Sequence, residues 1–299
     1  MFLVLKHQKE CKKVSDLRKE SLVVKIWNII WPLFVYVVAQ NAVAIIGGMF
    51  VKNENYAIVF LIVAALLCIP IYYRMYRKDQ ATAEEEIVRL PMGNKDFAAI
   101  ILSGAALALA LNNLIALTPL PMIFTGYEET NEVLYNGGMF LQIIGAGIIG
   151  CVVEELSMRG VSYLRTKRYY GKKRAVFINA FIFGLYHLNV VQAVYAFFLG
   201  LFFAWVFERY QTLWAPVIAH MSANLFIILL SECQFFNHML TTMVGFCLIT
   251  CICVMVFFYG WRFMNMTDPV VELEFVEKEP DTLKKLTAEY KEQEREEES

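Results

Sequence analysis

Charge is scarce in this sequence. Asp, Glu, Lys and Arg supply only 18% of its 299 residues, against 58% hydrophobic residues and a mean hydropathy of +0.50. Apolar runs recur that are longer than a soluble core helix needs, which excludes an ordinary soluble domain. Other signals are missing altogether. No Cys-x-x-Cys pair, internal repeat or Gly/Ser linker appears. Five of the seven cysteines lie inside apolar runs, where they read as small membrane-compatible side chains. The first 25 residues lack an apolar core followed by a small-residue cleavage site, so they are expected to form a retained basic arm and not a signal peptide.

What is present fits an all-α, polytopic bundle. Spans of roughly 20 apolar residues are expected near Ile26 to Val51, Tyr56 to Tyr73, Phe97 to Thr118, Met139 to Leu156, Ala175 to Leu188, Val190 to Phe207, Leu213 to Leu230 and Met239 to Trp261. The fifth is short before its histidine and is expected to run on into Asn189-Val190-Val191. The domain plan is thus an arm at 1–25, a transmembrane domain at 26–262 with its core at about 139–230, and an acidic tail at 263–299.

Net charge hides a strong segregation. Lysine and arginine crowd the first arm, the connection from Arg74 to Lys95 and the one from Arg165 to Arg174, whereas Pro119 to Gly138 and Ser231 to His238 contain neither. Positive loops stay in the cytoplasm, so eight spans with both termini inside a cell membrane are expected. The basic loops are explained by topology, and no nucleic-acid partner is implied. The partners expected are the lipid bilayer and a peptide or protein substrate.

One stretch interrupts the apolar pattern. Glu154 and Glu155 end the run from Met139 to Val153, and Arg159 follows four residues after Glu155. Ionisable groups at membrane depth are costly and usually paired or functional. On a helix Glu155 and Arg159 share a face and can pair, while Glu154 points about 100° away and stays available. Two histidines also sit in apolar helices. His187 has Phe183 one turn before it, and His220 has Asn224 one turn after it. His7 and His238 fall outside the apolar runs and read as solvated. At about 1.5 Å per residue, Glu154 lies about 16 Å from Arg165, His187 about 20 Å from Arg174 and His220 about 16 Å from Arg209. The three side chains can therefore meet at one level.

A carboxylate in a low-dielectric pocket is a competent general base near neutrality. Beside an imidazole it can take a proton from water, with His187 sharing that water. His220 and Asn224 supply donors where an oxyanion develops on a peptide carbonyl. This is hydrolysis without a covalent intermediate, since no serine or cysteine has an evident base; Cys151, Ser157 and Ser222 read as packing groups. Zinc on Glu154, His187 and His220 is the metal alternative. A non-hydrolytic immunity or binding protein is the alternative of a different class.

Glu154-Glu155-x-x-x-Arg159, Phe183-x-x-x-His187 and His220-x-x-x-Asn224, in this order and with Trp214 and Pro216 before the last, resemble the three motifs of the CPBP family, which contains type II CAAX prenyl endopeptidases and bacteriocin-processing or immunity proteins. The resemblance covers about Met139 to Leu230. It implies an intramembrane protease opening towards the cytoplasm, without a cofactor, in which Glu154 and His187 activate water, His220 and Asn224 stabilise the oxyanion, and Glu155 with Arg159 holds the site in shape. Substrate choice stays open between prenylated C-terminal peptides and secreted-peptide precursors, leader peptides or membrane proteins.

Overall fold

A computed structural model of the chain describes residues 20–51, 56–81, 88–89, 92–124, 138–266 and 270–271. Most of the basic arm and almost all of the acidic tail lie outside the described residues. Eight long helices form the body: α1 Leu22–Phe50, α2 Ala57–Ala81, α3 Asn94–Ala116, α4 Gly138–Tyr170, α5 Lys172–Tyr186, α6 Val190–Tyr210, α7 Trp214–Ser231 and α8 Met243–Met266. All but α5 are long and apolar enough to cross a membrane, and the chain is a multi-pass membrane protein. Lipid-directed side chains such as Ile45, Leu67 and Met255 are exposed on the outer faces. A two-residue antiparallel pairing joins Val88–Arg89 to Val270–Val271.

Small residues set how closely the helices approach, as expected where lipid tails remove the hydrophobic drive between helices. Gly104 of α3 lies against Ser222 and the carbonyl of Ala219 on α7, and Gly260 of α8 lies against Ser103 of α3. Gly200 of α6 faces Ala180 and Phe183 of α5. Around these contacts a buried core forms from Met158, Phe183, Phe203, Ala219 and Ala223.

Four boundaries differ from the sequence expectation, and one of them is the end of α2, which runs past Tyr73 to Ala81. Helix α4 does not stop near Leu156 but continues to Tyr170, since its basic end is held by partners: Arg165 and Arg168 bond Asp79 of α2, and Lys167 bonds Glu208 of α6. Helix α5 does not run on into Asn189. It ends at Tyr186, Leu188 takes a left-handed φ of 54°, and the Asn189 side chain accepts from the N–H groups of Val191 and Gln192, starting α6 afresh. A capping asparagine competes with helix continuation, and here the cap wins. Helix α8 begins at Met243, after a short helix at Gln234–Thr241 that carries the exposed His238.

Helix α4 is not uniform. Ile143–Ile149 and Leu156–Tyr163 are wound in wider π-type turns on either side of Gly150–Glu155. Such turns re-aim the side chains that follow them and are frequent at functional sites.

Candidate active site

Glu155 and Arg159 form the floor. Arg159 Nη1 donates to Glu155 Oε1 at 2.9 Å, and both side chains are fully buried. The other guanidinium nitrogen, Nη2, donates to the Gly200 carbonyl at 3.1 Å. The guanidinium lies 4.6 Å from the Phe183 ring centroid and 5.4 Å from that of Phe203, so the cation meets two π faces as well as a carboxylate.

His220 is built onto that floor. Its Nδ1 lies 2.9 Å from the same Glu155 Oε1, and its ring stacks on Phe203 at 4.8 Å. A carboxylate that already accepts from arginine accepts again here, so Nδ1 carries the hydrogen and Nε2 is turned away from Glu155. Nε2 faces Glu154 Oε2 at 3.9 Å. Glu154 retains 23% side-chain exposure, in contrast to its buried neighbour.

His187 closes the end of α5. Its Nδ1 donates to the Phe183 carbonyl at 2.8 Å, which again leaves Nε2 as the outward nitrogen. Its ring meets Phe183 edge-on at 5.0 Å, and Phe183 in turn meets His220 edge-on at 5.8 Å. Phe183 therefore spaces the two imidazoles. Asn224, on the face of α7 that carries His220, donates from Nδ2 to the Ala146 carbonyl at 3.0 Å in the first wide turn of α4, and lies 3.4 Å from Cys151 Sγ.

Glu154, His187, His220 and Asn224 line one cavity of about 750 Å³, together with Tyr36, Gln40, Tyr186 and Gln192. The cavity thus gathers all four residues singled out from sequence as chemical. Sequence reading missed the bond from Glu155 to His220, because it joins residues 65 apart. It also missed Tyr36 and Tyr186, which carry no spacing signal. Among the described residues no three His, Cys, Asp or Glu side chains converge closely enough to hold a metal ion.

Residues 136–226 match the family model described as type II CAAX prenyl endopeptidase Rce1-like. Over this stretch the chain is similar to the CPBP family of membrane peptidases. A curated relative, "Putative membrane peptidase YdiL" of Bacillus subtilis strain 168, is 29% identical over 94 residues, which cover 30% of this chain and 37% of the relative. The chain thus spans little more than a third of the length of the relative it matches. No solved structure matches. The matched segment runs from α4 into α7 and contains every cavity residue discussed for the chemistry.

Proposed function

We propose that the chain is a metal-free, glutamate-type intramembrane endopeptidase, cleaving a peptide bond of a membrane-associated substrate. The observation that carries this reading is the pair of acceptors, Glu154 Oε2 and His220 Nε2, facing each other across 3.9 Å in a cavity roomy enough for a peptide. A water placed between them donates to both and is aimed at a carbonyl carbon.

Glu154 takes one proton as the water oxygen bonds to that carbon, and His187, through its outward Nε2, shares the water's hydrogen bonding. The carbonyl becomes an oxyanion. His220, whose Nε2 takes up a proton from the water of the cavity while Nδ1 stays on the Glu155 carboxylate, then donates to it as an imidazolium. Asn224 keeps one amide hydrogen on Ala146; the other rests on a cysteine sulfur, a weak acceptor that an oxyanion displaces. Collapse breaks the C–N bond and the Glu154 proton passes to the departing nitrogen; the acid's hydroxyl proton and the one gained by His220 return to the cavity water, and a carboxylate and an amine leave. Glu155 and Arg159 touch no reacting atom and act by holding His220.

The test is a comparison of membrane-associated peptides in cells carrying wild-type protein or Glu154→Gln. An intact precursor should accumulate with the variant. Identical peptide profiles, with the variant correctly folded, favour the non-hydrolytic binder. Activity that persists in strong chelator, with no metal in the purified protein, supports the metal-free mechanism; its loss and recovery on adding Zn²⁺ overturns that part.

A further inference from the structure

The cavity occupies one half of the bundle. The ends of the helices can be levelled by the contacts at the basic face, where Arg165 of α4 bonds both Asp79 of α2 and the Asn28 carbonyl of α1, and where Tyr210 of α6 bonds Asp96 of α3. Measured from those residues at about 1.5 Å per residue, Glu154 lies about 16 Å up, Ala65 about 21 Å, Asn112 about 24 Å and Gly145 about 30 Å. All four line the cavity. It runs from the catalytic level away from the basic face, and its lining ends with Ile58 at the start of α2 and Pro121 beyond the end of α3.

Towards the basic face the way is shut. Below Glu154 the bundle is filled by Met158, Arg159, Tyr163, Asn179 and Phe203, each with no exposed surface. Asn179 of α5 ties this plug together by donating to the Met158 carbonyl.

Helix α5 explains the opening at the other end. It starts at the basic face with Lys172 and has 15 residues, a rise of about 22 Å. That is short of a hydrocarbon core of about 30 Å. The turn at His187, Leu188 and Asn189 therefore lies within membrane depth, with Leu188 94% exposed and its φ positive. Irregular backbone at that depth is tolerated where it borders a wet cavity. The space above the truncated hairpin is the cavity's approach.

Charge assigns the sides. Among the described residues every lysine and arginine except the buried Arg159 lies at the helix ends or connections of the basic face, and in the sequence Lys52 alone falls between two helices that meet at the cavity end. The connections at the cavity end instead carry Glu54, Glu128, Glu129, Glu132 and Glu232.

We propose that the hydrolytic cavity opens to the extracytoplasmic face, so that its substrate is the outer-face segment of an exported or membrane-inserted polypeptide and not a prenylated tail presented from the cytoplasm. This reverses the direction that family resemblance implied. The uncharged amides of Gln40, Asn41, Asn112 and Gln192 along the approach suit the backbone of an extended, neutral peptide. The inference rests on reading this cavity as the hydrolytic site, but its test does not depend on cleavage.

The experiment is labelling with a membrane-impermeant maleimide in intact and permeabilised cells. Native Cys233, exposed and free, lies in the connection between α7 and α8 at the cavity end and needs no substitution. Gln192→Cys samples the approach, and Lys173→Cys samples the basic face; both are read as a gain over a Cys233→Ser parent. Cys233 and Gln192→Cys should react as fully in intact cells as in permeabilised ones, and Lys173→Cys only after permeabilisation. Labelling of Lys173→Cys in intact cells, with Cys233 protected until permeabilisation, overturns the orientation. Labelling of Cys233 with no labelling of Gln192→Cys under either condition overturns the open approach. A normal labelling pattern with no precursor accumulating for Glu154→Gln would sink the protease reading while leaving the access route standing.

Discussion

Glu155 and His220 share a hydrogen bond of 2.9 Å although 65 residues separate them, and the carboxylate oxygen involved is the one that also accepts from Arg159. A single buried oxygen thus neutralises a cation and fixes a tautomer. The two adjacent glutamates have divided roles: Glu155 faces inward with no exposed side chain, and Glu154 faces the cavity.

Glu155→Gln removes the countercharge of a fully buried guanidinium. Breaking a buried pair from one side costs about 3–5 kcal/mol, because the remaining charge is left uncompensated. The detergent-solubilised variant should unfold at clearly lower temperature than wild type, and Glu155→Gln/Arg159→Met should recover part of that loss. A double variant no more stable than the single one would show that the cost does not come from the stranded cation.

Glu154→Gln should behave in the opposite way. Its side chain is partly exposed, and it forms no pair as close as that of Glu155, with His220 Nε2 at 3.9 Å. Thermal stability should stay within about 0.5 kcal/mol, as for substitutions away from packed features, while turnover falls by about 10²–10⁴, the range for a lost general base. Unfolding curves and precursor accumulation measured on the same preparation separate the two effects. Equal losses of stability and turnover would make Glu154 a packing residue.

Much of this site was legible in the sequence because its parts are local. The pairing of Glu155 with Arg159 follows from i,i+4 spacing, and the shared level of Glu154, His187 and His220 follows from helical rise measured from the nearest cations. The contacts that give the site its tautomers and its direction are not local. Glu155 reaches α7, Asn224 reaches a carbonyl freed in a wide turn at Ala146, and α5 stops at a turn that its sequence continues as apolar. Periodicity reports which face a side chain occupies. It does not report where π-type turns re-aim that face, nor that Asn189 caps a new helix.

Asn224 and Cys151 separate a donor from a nucleophile. Asn224→Ala removes a group aimed at the oxyanion and leaves the Ala146 carbonyl to the Cys151 thiol, and turnover should fall by about 10²–10³, as when one such donor is lost. Cys151→Ser keeps a small acceptor beside the Asn224 amide and should retain most activity, because the sulfur forms no covalent intermediate in this mechanism. Steady-state turnover of both variants on an identified precursor provides the check. Loss of all activity in Cys151→Ser, with normal thermal stability, would reopen a thiol mechanism.

Gly200 links helix packing to the catalytic floor. A Cβ added there would lie 3.1 Å from Cδ1 of Phe183 and 3.1 Å from the Cα of Ala180, while the Gly200 carbonyl holds Arg159. Gly200→Ala asks the Phe183 ring to give by a few tenths of an ångström. Gly200→Val cannot be accommodated that way and must part α5 from α6, at a cost of about 1–3 kcal/mol for overpacking a filled core. Because Phe183 spaces His187 from His220 and covers the guanidinium, activity should fall more steeply than stability along the series Gly, Ala, Val. Thermal unfolding and turnover plotted against each other for the three proteins give the slope. A valine variant of wild-type activity would mean that Phe183 can move freely without disturbing the imidazoles, and that the close α5–α6 contact serves folding alone.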